Sequence, residues 1–139
     1  MTPSASLWQQ ISLVAAGGAL GAVLRFLVGA SLLRSLGSGF PWGTLTVNLV
    51  GALAAGFLLV WLEGRAGENY WRAFLIVGVL GGLTTFSSLM VETLVFQREA
   101  RNALIPLYLG ISLAGGMLLV WLGARVGNLL TMSQKIISP

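Results

Sequence analysis

The sequence contains no cysteine, no histidine and no aspartate, and its 139 residues carry little charge: eight Lys or Arg and four Glu. Without cysteine there is no disulfide framework, no thiolate nucleophile and no Cys-based metal site. Without histidine there is no imidazole base, no Ser-His-Asp triad and no His-ligated metal. Four Glu scattered along the chain give a paired-carboxylate centre little to draw on. Hydrolytic and redox chemistry are disfavoured, and the chain is expected not to be an enzyme. Scarcity of charge also bears on solubility. A soluble domain is about a quarter charged, whereas this chain is 9% charged and 56% hydrophobic, with a mean hydropathy of +0.88. Such a composition cannot cover a water-facing surface, so a membrane protein is expected. The net charge of +4 is modest and its basic residues are dispersed, so no stripe for nucleic acid exists.

What is present is long apolar sequence. A spanning helix needs roughly 20 apolar residues, and four such runs are legible, at about 11–33, 43–62, 71–96 and 103–126. The gaps carry turn and charge signals: Arg34-Ser-Leu-Gly-Ser-Gly-Phe-Pro41, Glu63-Gly-Arg-Ala-Gly-Glu-Asn69 and Gln97-Arg-Glu-Ala-Arg-Asn102. These connections are short, so neighbouring spans should run antiparallel within one transmembrane domain covering residues 1–139. Residues 1–10 lack Lys and Arg, and with them the basic start of a signal peptide. All five Trp, at positions Trp8, Trp42, Trp61, Trp71 and Trp121, fall at span ends, where amphipathic rings prefer to sit.

Four spans place Arg65, Arg72, Arg125 and Lys135 on one side of the membrane and Arg34, Arg98 and Arg101 on the other, with Arg25 inside the first span. Four against three is no usable positive-inside bias. Either one residue such as Arg25 sets the orientation, or the chain inserts both ways and pairs as an inverted dimer. Small residues recur four apart in every span: Gly17/Gly21, Gly51/Ala55, Gly78/Gly82, Gly110/Ala114 and Gly123/Gly127. Such pairs allow close helix approach. A four-helix unit of this size has little interior, so a permeation path would need a second copy.

Polar groups at membrane depth face a partner, a cavity or a path. In the first span, Arg25 is either a snorkelling anchor or an anion-attracting charge. In the second, Asn48 brings two amide donors, with Thr44 four residues earlier on the same face; helix–helix glue is the plainer reading of Asn48. The third contains Gly78-Val-Leu-Gly-Gly-Leu-Thr84-Thr-Phe-Ser-Ser88, two adjacent glycines followed by hydroxyl residues, a poor helix interior. A break is expected there, with a kinked helix as the alternative, and carbonyls freed by a break would make good Na⁺ ligands. Glu92 lies two turns further on, where a carboxylate paired with an Arg is the simple expectation. In the fourth span Tyr108 and Ser112 share a face. The inventory is one of donors without bases: an amide, hydroxyls, one Arg and Phe ring edges, which carry the positive end of the ring quadrupole. Such a set suits a small anion, whereas cation filters use carbonyl or carboxylate rings.

Three motifs, Gly17-Gly-Ala-Leu-Gly-Ala-Val-Leu-Arg25-Phe, Gly43-Thr-Leu-Thr-Val-Asn48-Leu-Val-Gly51 and Gly81-Gly-Leu-Thr-Thr-Phe86-Ser, together with Glu92 and the Tyr108–Ser112 pair, resemble the CrcB/Fluc family of fluoride channels over nearly the whole chain. The resemblance implies an all-α membrane protein of four helices with a broken third helix, assembled as an inverted, dual-topology homodimer with two fluoride pores at the subunit interface. It implies a structural Na⁺ at the dimer centre, held by backbone carbonyls of Gly81 and Thr84. Asn48 would donate to fluoride, Phe86 would present its ring edge, Tyr108 and Ser112 would line the path with Thr44, and Ser88 and Glu92 would lie on a polar track leading away. The expected role is passive fluoride export across the bacterial inner membrane, with lipid as the surroundings and no nucleic-acid partner.

The sequence departs from the family pattern at one place. The pattern Thr-Thr-Phe-Ser-x-Phe has a second Phe three residues after the first, and here that position is Leu89. Leucine has no quadrupole, so either conduction tolerates an apolar residue there or the chain is a slower variant, an engineered one or half of a heterodimer; reduced rather than absent fluoride flux is expected. A proton-coupled small multidrug exporter, also four-span and dual-topology, is the rival reading. It needs a titratable carboxylate in the membrane, and the first span has none.

Overall fold

The protein is described here from a computed structural model covering residues 6–137, with side chains through Ser133. Lys135, counted in the charge balance above, lies outside the described side chains. Four helices are long and apolar enough to cross a membrane, Leu7–Leu36, Trp42–Trp61, Glu68–Arg98 and Leu104–Ser133, with mean hydropathies of 1.9 to 2.0.

Helix α1, Leu7–Leu36, starts at a capping box. Ser6 Oγ accepts from the Gln9 amide at 3.4 Å, and Gln9 Oε1 accepts from the Ser6 amide at 3.1 Å, so the first turn is satisfied before the apolar run begins. It ends at Gly37, whose φ of +77° suits glycine alone. Pro41 precedes helix α2, Trp42–Trp61, where its missing N–H is no loss. The third span is composite: α3, Glu68–Trp71, runs into a π-helical stretch, Arg72–Leu80, and then into α4, Gly81–Leu83. The backbone is then extended at Thr84 (φ −84°, ψ 156°) and Thr85 (φ −154°, ψ 118°) before α5, Phe86–Arg98. Helix α6, Leu104–Ile137, completes the bundle.

The first and third spans extend beyond the expected runs at both ends, α2 is offset by one residue from 43–62, and α6 starts at 104. The largest difference is α6, which continues to Ile137 rather than ending near 126, because neither proline nor glycine interrupts residues 128–137 and the polar residues there are tolerated in a helix leaving the hydrocarbon. Trp121 is therefore mid-helix, not at a helix end. It lies 17 residues after Leu104, roughly 25 Å along the axis at the helical rise per residue, close to the far side of a core about 30 Å thick.

Glycines set the helix spacings. A Cβ on Gly17 would sit 2.4 Å from the Phe74 carbonyl oxygen, and one on Gly21 would sit 2.1 Å from that of Val79; the reverse contacts come from Gly78 and Gly82 against Gly17 and Gly18. On the other side of the bundle, Gly56 meets the Val120 carbonyl and Gly123 that of Leu53. Gly110 is different, with nothing within 4 Å among the described residues, so the Gly110/Ala114 pair takes no part in packing within one chain. These contacts give a first prediction. Gly21→Ala places a methyl 2.1 Å from a backbone oxygen and is expected to destabilise the bundle by about 3 kcal/mol, the upper end of over-packing effects. Gly18→Ala, whose Cβ meets nothing within 4 Å, should be neutral or stabilising by up to about 1 kcal/mol through helix propensity. Thermal unfolding of the two variants in detergent checks the contrast.

The buried core is small. Leu45, Leu89, Phe96 and Tyr108 form one cluster, edged by Phe40, Leu49, Leu104 and Leu109. Outside it, large apolar side chains such as Val23, Phe26, Val50, Leu113 and Met117 are exposed, a surface suited to hydrocarbon rather than water.

Candidate functional site

The site is organised around the two extended residues of the third span. Asn48, in the middle of α2, meets Thr85 in a reciprocal pair: the Thr85 amide donates to Asn48 Oδ1 at 2.7 Å, and Asn48 Nδ2 donates to the Thr85 carbonyl at 3.0 Å. The pair explains how the backbone can leave the helix here. In an uninterrupted helix the Thr85 amide would bond the Gly81 carbonyl; it is instead engaged by Asn48. The Ser88 amide, which would bond the Thr84 carbonyl, donates to Thr85 Oγ1 at 3.2 Å, the N-cap of α5. The carbonyls of Gly81 and Thr84 are both deprived of their helical donors by side chains. The Thr84 hydroxyl turns back to the Leu80 carbonyl at 2.8 Å, and its methyl occupies the space beside Gly51, where a Cβ would approach to 2.2 Å.

These residues line a groove of about 510 Å³ that includes Asn48, Gly81, Thr84, Phe86, Leu89 and Ser112. Two donors in it are uncommitted. One is the second N–H of Asn48, whose other N–H and oxygen are both held by Thr85. The other is the hydroxyl of Ser112, buried and without a hydrogen-bond partner among the described residues. A buried polar atom with no partner costs about 1–3 kcal/mol relative to a satisfied one, so the hydroxyl is a vacancy for an acceptor. Phe86 is 69% exposed at the groove, held there by its place as the first residue of α5.

A second polar group lies towards the α1–α2 connection. Glu92 on α5 accepts from the Thr44 hydroxyl through Oε1 at 2.6 Å and from the Tyr108 hydroxyl through Oε2 at 2.5 Å. Its carboxyl thus joins α2, α5 and α6. Among the described residues these partners are hydroxyls, and the simple expectation of an Arg partner does not hold. Thr44 and Glu92 also line a smaller cavity of about 190 Å³ walled by Gly37, Phe40, Pro41 and Trp42.

Of the residues singled out in the sequence, the structure gathers Asn48, Gly81, Thr84, Phe86 and Ser112 at the groove and Thr44 and Tyr108 at Glu92. Ser88 bridges towards the first group, its Oγ 3.1 Å from Thr85 Oγ1. Tyr108 is fully buried and forms the link between the polar carboxyl and the aromatic core. Leu89 is 3% exposed, packed in that core while also reaching the groove wall. Arg25 is half-buried and lines neither cavity. The role of Glu92 as a bridge was missed from sequence; its only signal was Thr44 and Asn48 on one helical face with a carboxylate further along.

Residues 12–124 match the family described as CrcB-like protein, Camphor Resistance (CrcB). The chain belongs to this family. Among CrcB relatives, a protein of Xylella fastidiosa named fluoride-specific ion channel FluC is 53% identical over 131 residues, covering 94% of this chain and 92% of the relative. Proteins of the same name from Xanthomonas euvesicatoria pv. vesicatoria and Thermus thermophilus are 59% and 51% identical, covering 87% and 85% of this chain and 92% and 93% of theirs.

Proposed function

We propose that this CrcB protein is a fluoride-selective channel, not an enzyme, through which fluoride leaves the cytoplasm passively across the bacterial inner membrane, relieving fluoride toxicity. The observation that carries the reading is the convergence of two uncommitted donors, the Asn48 N–H and the Ser112 hydroxyl, on one groove edged by an exposed Phe ring. Fluoride is small and strongly hydrated, so a dry path must replace its water with convergent donors and positive ring edges. The names of the relatives point the same way. Beyond the groove, the Ser88 hydroxyl, which accepts from Thr85 Oγ1, keeps its own proton as a further donor, and the hydroxyls of Thr44 and Tyr108, whose protons go to Glu92, continue the polar track to that carboxyl.

The working unit we infer is an inverted homodimer. Four against three basic residues set no orientation, and the groove lies open along a face where Gly81 and Phe86 are exposed. A second, antiparallel copy would close it and make two paths at the interface. The carbonyls of Gly81 and Thr84, which have lost their helical donors on the same face, fit a cation held between the copies. A structural Na⁺ there would supply positive charge that offsets carbonyl repulsion and favours an anion nearby. Asn48 keeps the Gly81 carbonyl available by holding the Thr85 amide, and Thr85 Oγ1 does the same for the Thr84 carbonyl by holding the Ser88 amide.

Reconstituted liposomes loaded with potassium fluoride test the reading. The expected result is rapid fluoride efflux, detected by a fluoride electrode, without a pH gradient and without comparable chloride efflux; no fluoride efflux would overturn it. The same assay addresses Leu89. Since leucine offers no ring edge at the position of the family's second Phe, Leu89→Phe should raise the efflux rate at equal protein density. The larger ring enters the cluster of Leu45, Phe96 and Tyr108, so a stability loss of about 1–3 kcal/mol should accompany it. No gain in efflux would count against a lining role for this position.

A further inference from the structure

The smaller cavity is closed by a connection, and that connection is held by its neighbour at the same end of the bundle. Residues 37–41 link α1 to α2 and wall the cavity with Gly37, Phe40 and Pro41 above Thr44 and Glu92. Arg101, in the α5–α6 connection, donates from Nη2 to the Gly39 carbonyl. Its guanidinium carbon lies 5.1 Å from the centroid of the Phe96 ring, Nη1 reaches Glu99 Oε2 at 3.3 Å, and its backbone amide bonds the Phe96 carbonyl at 2.8 Å. One side chain thus ties both connections to the aromatic core. Phe40 is the part of the tied connection that matters inward. Its ring stands edge-on to Tyr108 at 5.3 Å and 81°, and it contacts Phe96 at 6.2 Å and Trp42 at 4.7 Å. Tyr108 in turn stands edge-on to Phe96 at 5.9 Å and donates to Glu92.

We propose that Arg101 is a positioning residue for ion passage: by stapling residues 37–41 to Phe96 it seats Phe40 on Tyr108 and so fixes the Tyr108–Glu92–Thr44 chain and the width of the mouth beside it. A planar guanidinium can stack on a ring and donate to a carbonyl at once, which a lysine ammonium cannot do with the same geometry. Edge-to-face ring pairs hold orientation as well as area, so a displaced Phe40 leaves Tyr108 free to turn from Glu92. The alternative role for a basic residue near a mouth, attraction of anions by its charge, predicts no dependence on Phe40, which is uncharged.

This inference rests on the channel reading where flux is measured, and a second readout is independent of flux. In liposomes, Arg101→Ala and Phe40→Ala are each expected to lower fluoride efflux about tenfold, and the double variant to lose no more than the worse single one, as coupled residues do. Multiplicative losses in the double variant, or wild-type efflux in Arg101→Ala, would overturn the staple. The chain contains no cysteine, so Thr44→Cys gives one labelling site at the cavity floor. With a small charged methanethiosulfonate reagent, labelling of Thr44→Cys should be about tenfold faster with Arg101→Ala than without it, as expected for local opening. Arg101→Lys, which keeps the charge, should shift labelling in the same direction and serves if the alanine variant fails to fold. Unchanged labelling with the folded variants would overturn the staple whatever the flux. Absence of fluoride efflux from the unsubstituted protein, with labelling accelerated as stated, would instead overturn the channel reading alone.

Discussion

Asn48→Ala is expected to abolish fluoride efflux, by at least about a hundredfold in the liposome assay, equivalent to roughly 2.7 kcal/mol at 1.36 kcal/mol per tenfold. Two losses combine. The first is the N–H left uncommitted by the pairing with Thr85; a desolvated anion deprived of a donor in a low dielectric has no substitute. The second is the hold on the Thr85 amide. Once Oδ1 is gone, that amide can return to the Gly81 carbonyl and continue the helix through Thr84 and Thr85, withdrawing a carbonyl from the groove and shifting the start of α5 that carries Phe86. Asn48→Asp separates the two effects. Aspartate keeps an acceptor for the Thr85 amide, so the extended residues can persist, but it lacks the donor and, when ionised, repels an anion. It too is expected to abolish efflux. Wild-type efflux in either variant would remove Asn48 from the path and with it the argument from uncommitted donors.

A common device recurs in the groove. Side chains claim the backbone amides that would close a helix, Asn48 taking that of Thr85 and Thr85 taking that of Ser88, and carbonyls are thereby freed at membrane depth. Irregular backbone is tolerated there only inside protein or beside a polar cavity. The hydroxyl-rich run from Thr84 to Ser88 is what makes the device possible, since short polar side chains compete with the helix for its own amides.

Helix number and the approximate spans were legible because each apolar run meets or exceeds what a membrane crossing needs and each gap carries glycine, proline or charge. Helix ends were less so. The start of α1 depends on the Ser6–Gln9 box, and α6 runs to Ile137 because no proline or glycine in residues 128–137 stops a helix once it is nucleated. The π-helical stretch Arg72–Leu80 has no signature in an apolar run. At the site, Asn48 and the Thr-Thr-Phe-Ser-Ser segment stood out by residue type alone, since each is costly in a helix surrounded by hydrocarbon. Their partners did not. Whether the carboxyl of Glu92 meets an arginine or two hydroxyls depends on how α2, α5 and α6 cross, and that is set by close contacts such as Gly123 on Leu53 and Gly56 on Val120, not by spacing along one helix. Arg101 was legible only as one charge among seven arginines; its meaning comes from the Gly39 carbonyl, 62 residues away in sequence.

Glu92→Ala is expected to have the second-largest effect, on stability and flux together. The carboxyl is the acceptor for two hydroxyls, and its removal strands the Tyr108 hydroxyl in a side chain with no exposed surface. Losing two such bonds and leaving one buried donor unsatisfied should destabilise the protein by about 3 kcal/mol and reduce efflux at least about tenfold, because the chain that aligns Tyr108 and Thr44 has lost its centre. Glu92→Gln provides the discriminating comparison. Its amide oxygen can accept from one hydroxyl while its NH₂ donates to the other, whose own proton then turns away, so the bridge between α2 and α6 persists without a titratable group. A passive channel built from donors should keep most of its efflux in this variant, within about threefold of wild type, roughly 0.65 kcal/mol. Loss of efflux in Glu92→Gln with retained thermal stability would mean that a proton must come and go at residue 92, as in a proton-coupled exporter, and the passive reading would fall.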